Sequence, residues 1–143
     1  MKKLALFILV LAGFVFGQGV QKTDLQIEIV VNAESGWPVR LLVSGFTPQK
    51  AWLGYSFYKY NVSDPVTQGD HHHQDLSKGA FSLEFPIDKK FLDGSFEFAI
   101  WGKKVPKSEC TLDYCYWCKK NGFHFDDMKV YKSGYLTRLI GYK

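Results

Sequence analysis

A chain of 143 residues with 18 Lys and Arg against 14 Asp and Glu has a formal charge of only +4. That is too diffuse for a nucleic-acid or anionic-membrane binder, which needs concentrated basic patches. Its 12 Phe, 8 Tyr and 4 Trp demand a core, or an exposed face, rich in rings, within one domain long enough to bury roughly two thirds of its unfolded surface.

The opening MKKLALFILVLAGFVFG puts Lys2 and Lys3 ahead of an apolar run, Leu4 to Phe16, that ends in small or β-branched residues. This is the pattern of a secretory signal peptide, residues 1–17, cut after Gly17; the short lysine-led start points to a bacterial exporter. The run falls short of the roughly 18–20 apolar residues of a membrane-spanning helix. The mature chain, residues 18–143, is therefore expected to be one exported domain without a membrane span, periplasmic or at the cell surface. Losing Lys2 and Lys3 brings its charge closer still to neutrality.

Period-two alternation then dominates. LQIEIVV sets Leu25, Ile27, Ile29 and Val31 on one side, and VRLLVSGF follows a turn-like NAESGWP. KAWLGYSFYKY offers Trp52, Tyr55 and Phe57 to one face and Gly54, Ser56 and Tyr58 to the other. GAFSLEFPI directs Phe81, Leu83, Phe85 and Ile87 inward, and GSFEFAIW does the same with Phe96, Phe98 and Ile100. NVSDPVTQGD, DLSKG and DKKFLDG are rich in turn formers. Short strands separated by turns predict an all-β, antiparallel two-sheet sandwich rather than a βαβ protein.

LLVSGFTPQKAWLGYSFYKY, Leu41 to Tyr60, resembles the second and third strands of fibronectin type III and related immunoglobulin-like modules. FLDGSFEFAIWGKKV is similar to the bacterial version of their sixth strand, entered through a Leu-x-Gly-Ser/Thr turn. The resemblance covers roughly residues 25–105; Phe46 replaces their second-strand tryptophan, or that residue is absent, and the inter-sheet cysteine pair of antibody domains is missing. It implies an immunoglobulin-like fold, used more often for adhesion, binding and assembly than for catalysis, although a fold does not fix a function. On that fold, a short strand at PVTQ, Pro65 to Gln68, would gather a histidine loop, GDHHHQ, and a cysteine loop at one end. Without it the two would stand roughly 30 Å apart, the length of a nine-residue strand.

All three cysteines fall in CTLDYCYWCKKNGFH, read as a Cys-rich loop inserted before the last strand. In an oxidising compartment one disulfide among Cys110, Cys115 and Cys118 is expected. Cys115 and Cys118 in extended chain lie roughly 10 Å apart, beyond the roughly 7 Å a bridge tolerates, so Cys110 paired with either closes more easily. An alternative uses Cys110, Cys115, Cys118 and His124 as a Cys₃His zinc site. His71 and His73, pointing the same way on an extended segment, could chelate a metal with Asp75.

The tail MKVYKSGYLTRLIGYK reads as a hairpin about Lys132–Gly134 whose second arm, Tyr135 to Tyr142, closes the sheet as an edge strand open to a protein partner or a second copy. The chain carries no Gly-x-Ser-x-Gly and no phosphate-binding loop. A non-enzymatic module acting in binding or assembly, with no resident cofactor, is therefore expected. Zinc binding is one alternative, and carbohydrate binding by Trp37, Trp52, Trp101 and Trp117 on one open face is another.

Overall fold

The computed structural model describes residues 22–109 and 116–139. The signal-peptide reading of residues 1–17 lies outside that set. So does the disulfide reading, because Cys110 and Cys115 and the side chain of Cys118 are not among the described groups. Among the described residues seven strands follow one another: β1 (Asp24–Val31), β2 (Pro38–Thr47), β3 (Ala51–Tyr58), β4 (Asp70–Leu76), β5 (Gly79–Pro86), β6 (Ser95–Pro106) and β7 (Phe123–Tyr135). All pairings are antiparallel. They form a three-stranded sheet in the order β1-β2-β5 and a four-stranded sheet in the order β4-β3-β6-β7, an arrangement compatible with an immunoglobulin-like sandwich.

The alternation read in the sequence is what seals the two sheets together. Leu25, Leu41 and Val43 from the first sheet meet Leu53, Phe57, Phe96, Phe98 and Ile100 from the second in one buried cluster. Phe81, Leu83, Phe85 and Ile87 pack against it from β5 and its end. Each fully buried side chain of this kind contributes about 1.5–3 kcal/mol relative to exposure. Trp52 departs from the sequence reading: it stands opposite Trp101, two residues from Gly54 on the outer face, because strict alternation places it with Gly54 and not with Tyr55.

Three expectations are corrected. Pro65–Gln68 is not a strand but a single helical turn, α1, held by Gln68, whose side-chain oxygen accepts from the backbone N–H groups of Ser63 (3.0 Å) and Asp64 (3.1 Å). The histidine run is not a loop but edge strand β4, in register with β3 as Gly54↔His73, Tyr55↔His72 and Ser56↔His71. No hairpin forms about Lys132–Gly134, since β7 runs unbroken through those residues.

Gly134 serves packing instead of a turn: a Cβ there would lie 2.7 Å from Phe96 Cζ. Beyond β7 the chain leaves the sheet at once. Leu136 is fully buried, with its backbone N–H bonded to the Gly94 carbonyl and its carbonyl to the Asp93 N–H, both at 2.9 Å. Leu139 N–H then reaches the carbonyl of Gly36, 2.9 Å away in the β1–β2 turn, where φ of +78° suits glycine. Among the described residues no helix is long and apolar enough to cross a membrane.

Candidate functional site

Two places gather chemistry. The first is a cleft of about 180 Å³ between edge strands β4 and β5, where the two sheets are not bridged by a strand. Its floor is aromatic: Tyr55 lies 4.7 Å from Phe85 and stacks on Phe98 at 5.4 Å, and Phe57 stacks on Phe91 at 5.5 Å, centroid to centroid. Strand alternation puts Tyr55 and Phe57 on the inner face of β3, and the 3-10 turn Lys89–Phe91 brings Phe91 over the opening.

The rim of the cleft is polar and of mixed charge. Asp70 and His72 come from β4, with His72 Nε2 3.0 Å from Asp70 Oδ1, and the His72 ring stacks on Tyr55 at 5.3 Å. Asp88 caps the 3-10 turn by accepting from the Lys90 backbone N–H at 3.1 Å, and the Lys90 ammonium sits 5.2 Å above the Phe91 ring. Burial first, and the nearby Asp70 carboxylate second, raise the Tyr55 phenol above its usual 10, so it stays a neutral donor at the cleft wall.

The second place is the outer face of the four-stranded sheet. Ser56 is 6% exposed, and its hydroxyl lies 2.6 Å from His71 Nδ1. His71 Nε2 is 2.9 Å from the Pro65 carbonyl. A carbonyl only accepts, so Nε2 carries a proton, and in the tautomer this selects Nδ1 is the nitrogen that accepts from Ser56. A serine on a histidine base is the geometry of an activated nucleophile, but this hydroxyl is buried under the sheet's own side chains; here the pair clamps α1 to β3 and β4. Beside it Tyr58 and Tyr131 both donate to Glu97, at 2.5 and 2.7 Å. Burial, then the Glu97 carboxylate, drives both phenols upward.

Farther along this face, β6 and β7 continue past the rest of the sheet as a two-stranded ribbon, Lys103–Pro106 against Phe123–Asp126. A bulge between Ile100 and Trp101, with Asp127 at φ 61°, bends it. Phe125 consequently stacks on Trp101 at 6.2 Å, and His73 lies 5.3 Å from Phe123 and 5.7 Å from Phe125. Lys104 covers Phe123 from 4.3 Å. The histidine strand thus meets the base of the arm that leads to the cysteine-bearing segment, although no strand formed at Pro65–Gln68.

Of the metal ligands expected from sequence, His71 has both ring nitrogens engaged and His73 is packed against two rings. Among the described residues no three His, Cys, Asp or Glu side chains stand close enough to hold a metal ion. His124 is placed at the ribbon's start opposite Val105, while its proposed partners Cys110 and Cys115 lie outside the described residues. Trp52 and Trp101 share the outer face, whereas Trp37 lies in the β1–β2 connection and the Trp117 side chain is not described.

Sequence reasoning missed the cleft and the Ser56–His71 pair. Both depend on cross-strand register, and the only signal for either was the alternation that put Asp70 and His72 on one face and His71 and His73 on the other. No protein-family model matches this chain, and comparison with curated proteins and with solved structures returned no match.

Proposed function

We propose that the chain is an exported, non-enzymatic binding module of the immunoglobulin-like kind, and that it holds its ligand in the cleft between β4 and β5. One observation carries this reading: an aromatic floor and a polar rim of Asp70, His72, Asp88 and Lys90 converge on one small opening. An apolar concavity with a few convergent polar groups is the usual anatomy of a small-ligand site. Assembly through β7 has weaker support, because that edge carries a bulge and the exposed charges Asp126, Asp127, Lys129 and Lys132, features that discourage strand addition.

The test is a chemically mixed small-molecule screen against the purified mature protein, read by amide shift changes. Bound compounds are expected to perturb Tyr55, His72, Phe85 and Lys90 together. Compounds that bind but map only to the outer sheet face or to the β6–β7 ribbon, or a screen in which nothing binds, would overturn the reading.

A further inference from the structure

The cleft's size and charge pattern narrow the class of ligand; the inference rests on the binding reading above. Drug-sized ligands occupy pockets of roughly 300–1,000 Å³. A cleft of about 180 Å³ admits one ring. A ligand cation would seek an aromatic face, but the Lys90 ammonium already lies over Phe91 at 5.2 Å and would repel it. A ligand anion would face Asp70 and Asp88 across the opening. A ligand ion of either sign would thus meet a like charge at the opening.

What fits is a neutral ring with one apolar face and several hydroxyls. Tyr55 is sandwiched between His72 and Phe98 and Phe91 is covered by Phe57 and Lys90, so the ligand ring's C–H face can lie against Phe85 and the edges of Tyr55 and Phe91, while its hydroxyls donate to the two carboxylates and accept from Lys90 and the Tyr55 phenol. We infer that the β4–β5 cleft binds a single neutral sugar ring, as a monosaccharide or as the terminal unit of a longer glycan. This places carbohydrate recognition on the sandwich's open side and not on its tryptophans.

Titrations with methyl β-glucoside, methyl β-galactoside and N-acetylglucosamine, each to concentrations on the order of 50 mM, test this by amide shifts. Choline and acetate serve as the cationic and anionic comparators. At least one sugar is expected to saturate shifts at Tyr55, His72 and Phe85 with a Kd on the order of a millimolar, the scale a one-ring ligand reaches. Asp70→Asn and Lys90→Ala, both changes at the rim, should each weaken it about fivefold or more by removing a charge-assisted hydrogen bond. Glu84→Gln, on the opposite face of β5 and paired with Arg40, should leave it unchanged.

Choline or acetate saturating these residues while all three sugars fail would overturn the sugar assignment and leave the cleft a binding site. Sugars that bind with shifts confined to Trp52 and Trp101 would overturn the placement. No binding by any of these compounds would also overturn the sugar assignment, and the broader screen would then decide whether the cleft binds anything.

Discussion

At the scale of single residues, several side chains do work that their identity alone does not announce. Gly134 sits between Ser133 and Tyr135, a setting that invites a turn, yet it occupies a strand because the Phe96 ring lies where its side chain would be. Phe96 is 4% exposed and belongs to the core cluster, so it cannot swing into solvent to make room. In an open strand, Gly→Ala would stabilise by about 0.4–1 kcal/mol through the unfolded state. Here overpacking wins. Gly134→Ala is expected to destabilise the fold by about 1–3 kcal/mol, read as a lower urea midpoint with an unchanged slope; a stabilising effect would mean that the ring does not stand against this backbone.

At the scale of elements, the β6–β7 ribbon is held by aromatic contacts, and His73 is the group that makes them sensitive to pH. Its pKa is lowered from 6.5, first by the partial desolvation its place beside the ribbon's rings imposes on a side chain that stays largely exposed, and next by the Lys104 ammonium, with His72 adding to the effect and Asp75 opposing it. The neutral ring is therefore the form the docked ribbon favours. As pH falls through 6.5 the undocked state takes up its proton first, so docking is strongest above that value and weakens below it. Amide protection at Lys104 and Phe125, corrected for intrinsic exchange rates, should fall between about pH 7.5 and about pH 5. His73→Gln should flatten that change, and a variant that keeps the full pH response would place its origin elsewhere. The same elements show where sequence was and was not informative. β1, β2, β5 and β6 each turn one face to the core, and that burial writes period two into the residues, while β3, covered on both faces, keeps the alternation in its inward rings Tyr55 and Phe57. β4 is an edge strand with little apolar content, so DHHHQD carries no such pattern and reads as a loop. α1 depends on the Gln68 side chain gripping Ser63 and Asp64, a tertiary detail that no local propensity reports.

At the scale of the whole molecule, closure depends on a segment with no regular structure. Residues 136–139 cross the end of the sandwich and tie β7 to both the β5–β6 connection and the β1–β2 turn, through Leu136 with Asp93 and Gly94 and through Leu139 with Gly36. Arg138 adds a third link, its Nε donating to the Ser35 carbonyl at 2.6 Å. The strand expected from Tyr135 onward does not continue through residues 136–139, which are neither strand nor helix. What decides is that Leu136 fills the core's open end, fully excluded from water. Loss of its side chain removes apolar burial from a cluster shared by both sheets, so the damage is global and not confined to the tail. Leu136→Ala is expected to cost about 2–5 kcal/mol, with far-ultraviolet circular dichroism and tryptophan fluorescence reporting the same shifted midpoint. Arg138→Ala removes one exposed hydrogen bond and should cost under about 1 kcal/mol. If Leu136→Ala instead frayed the tail while the sheet transition stayed in place, the sandwich would be closing on its strands alone, and the tail would be a passenger.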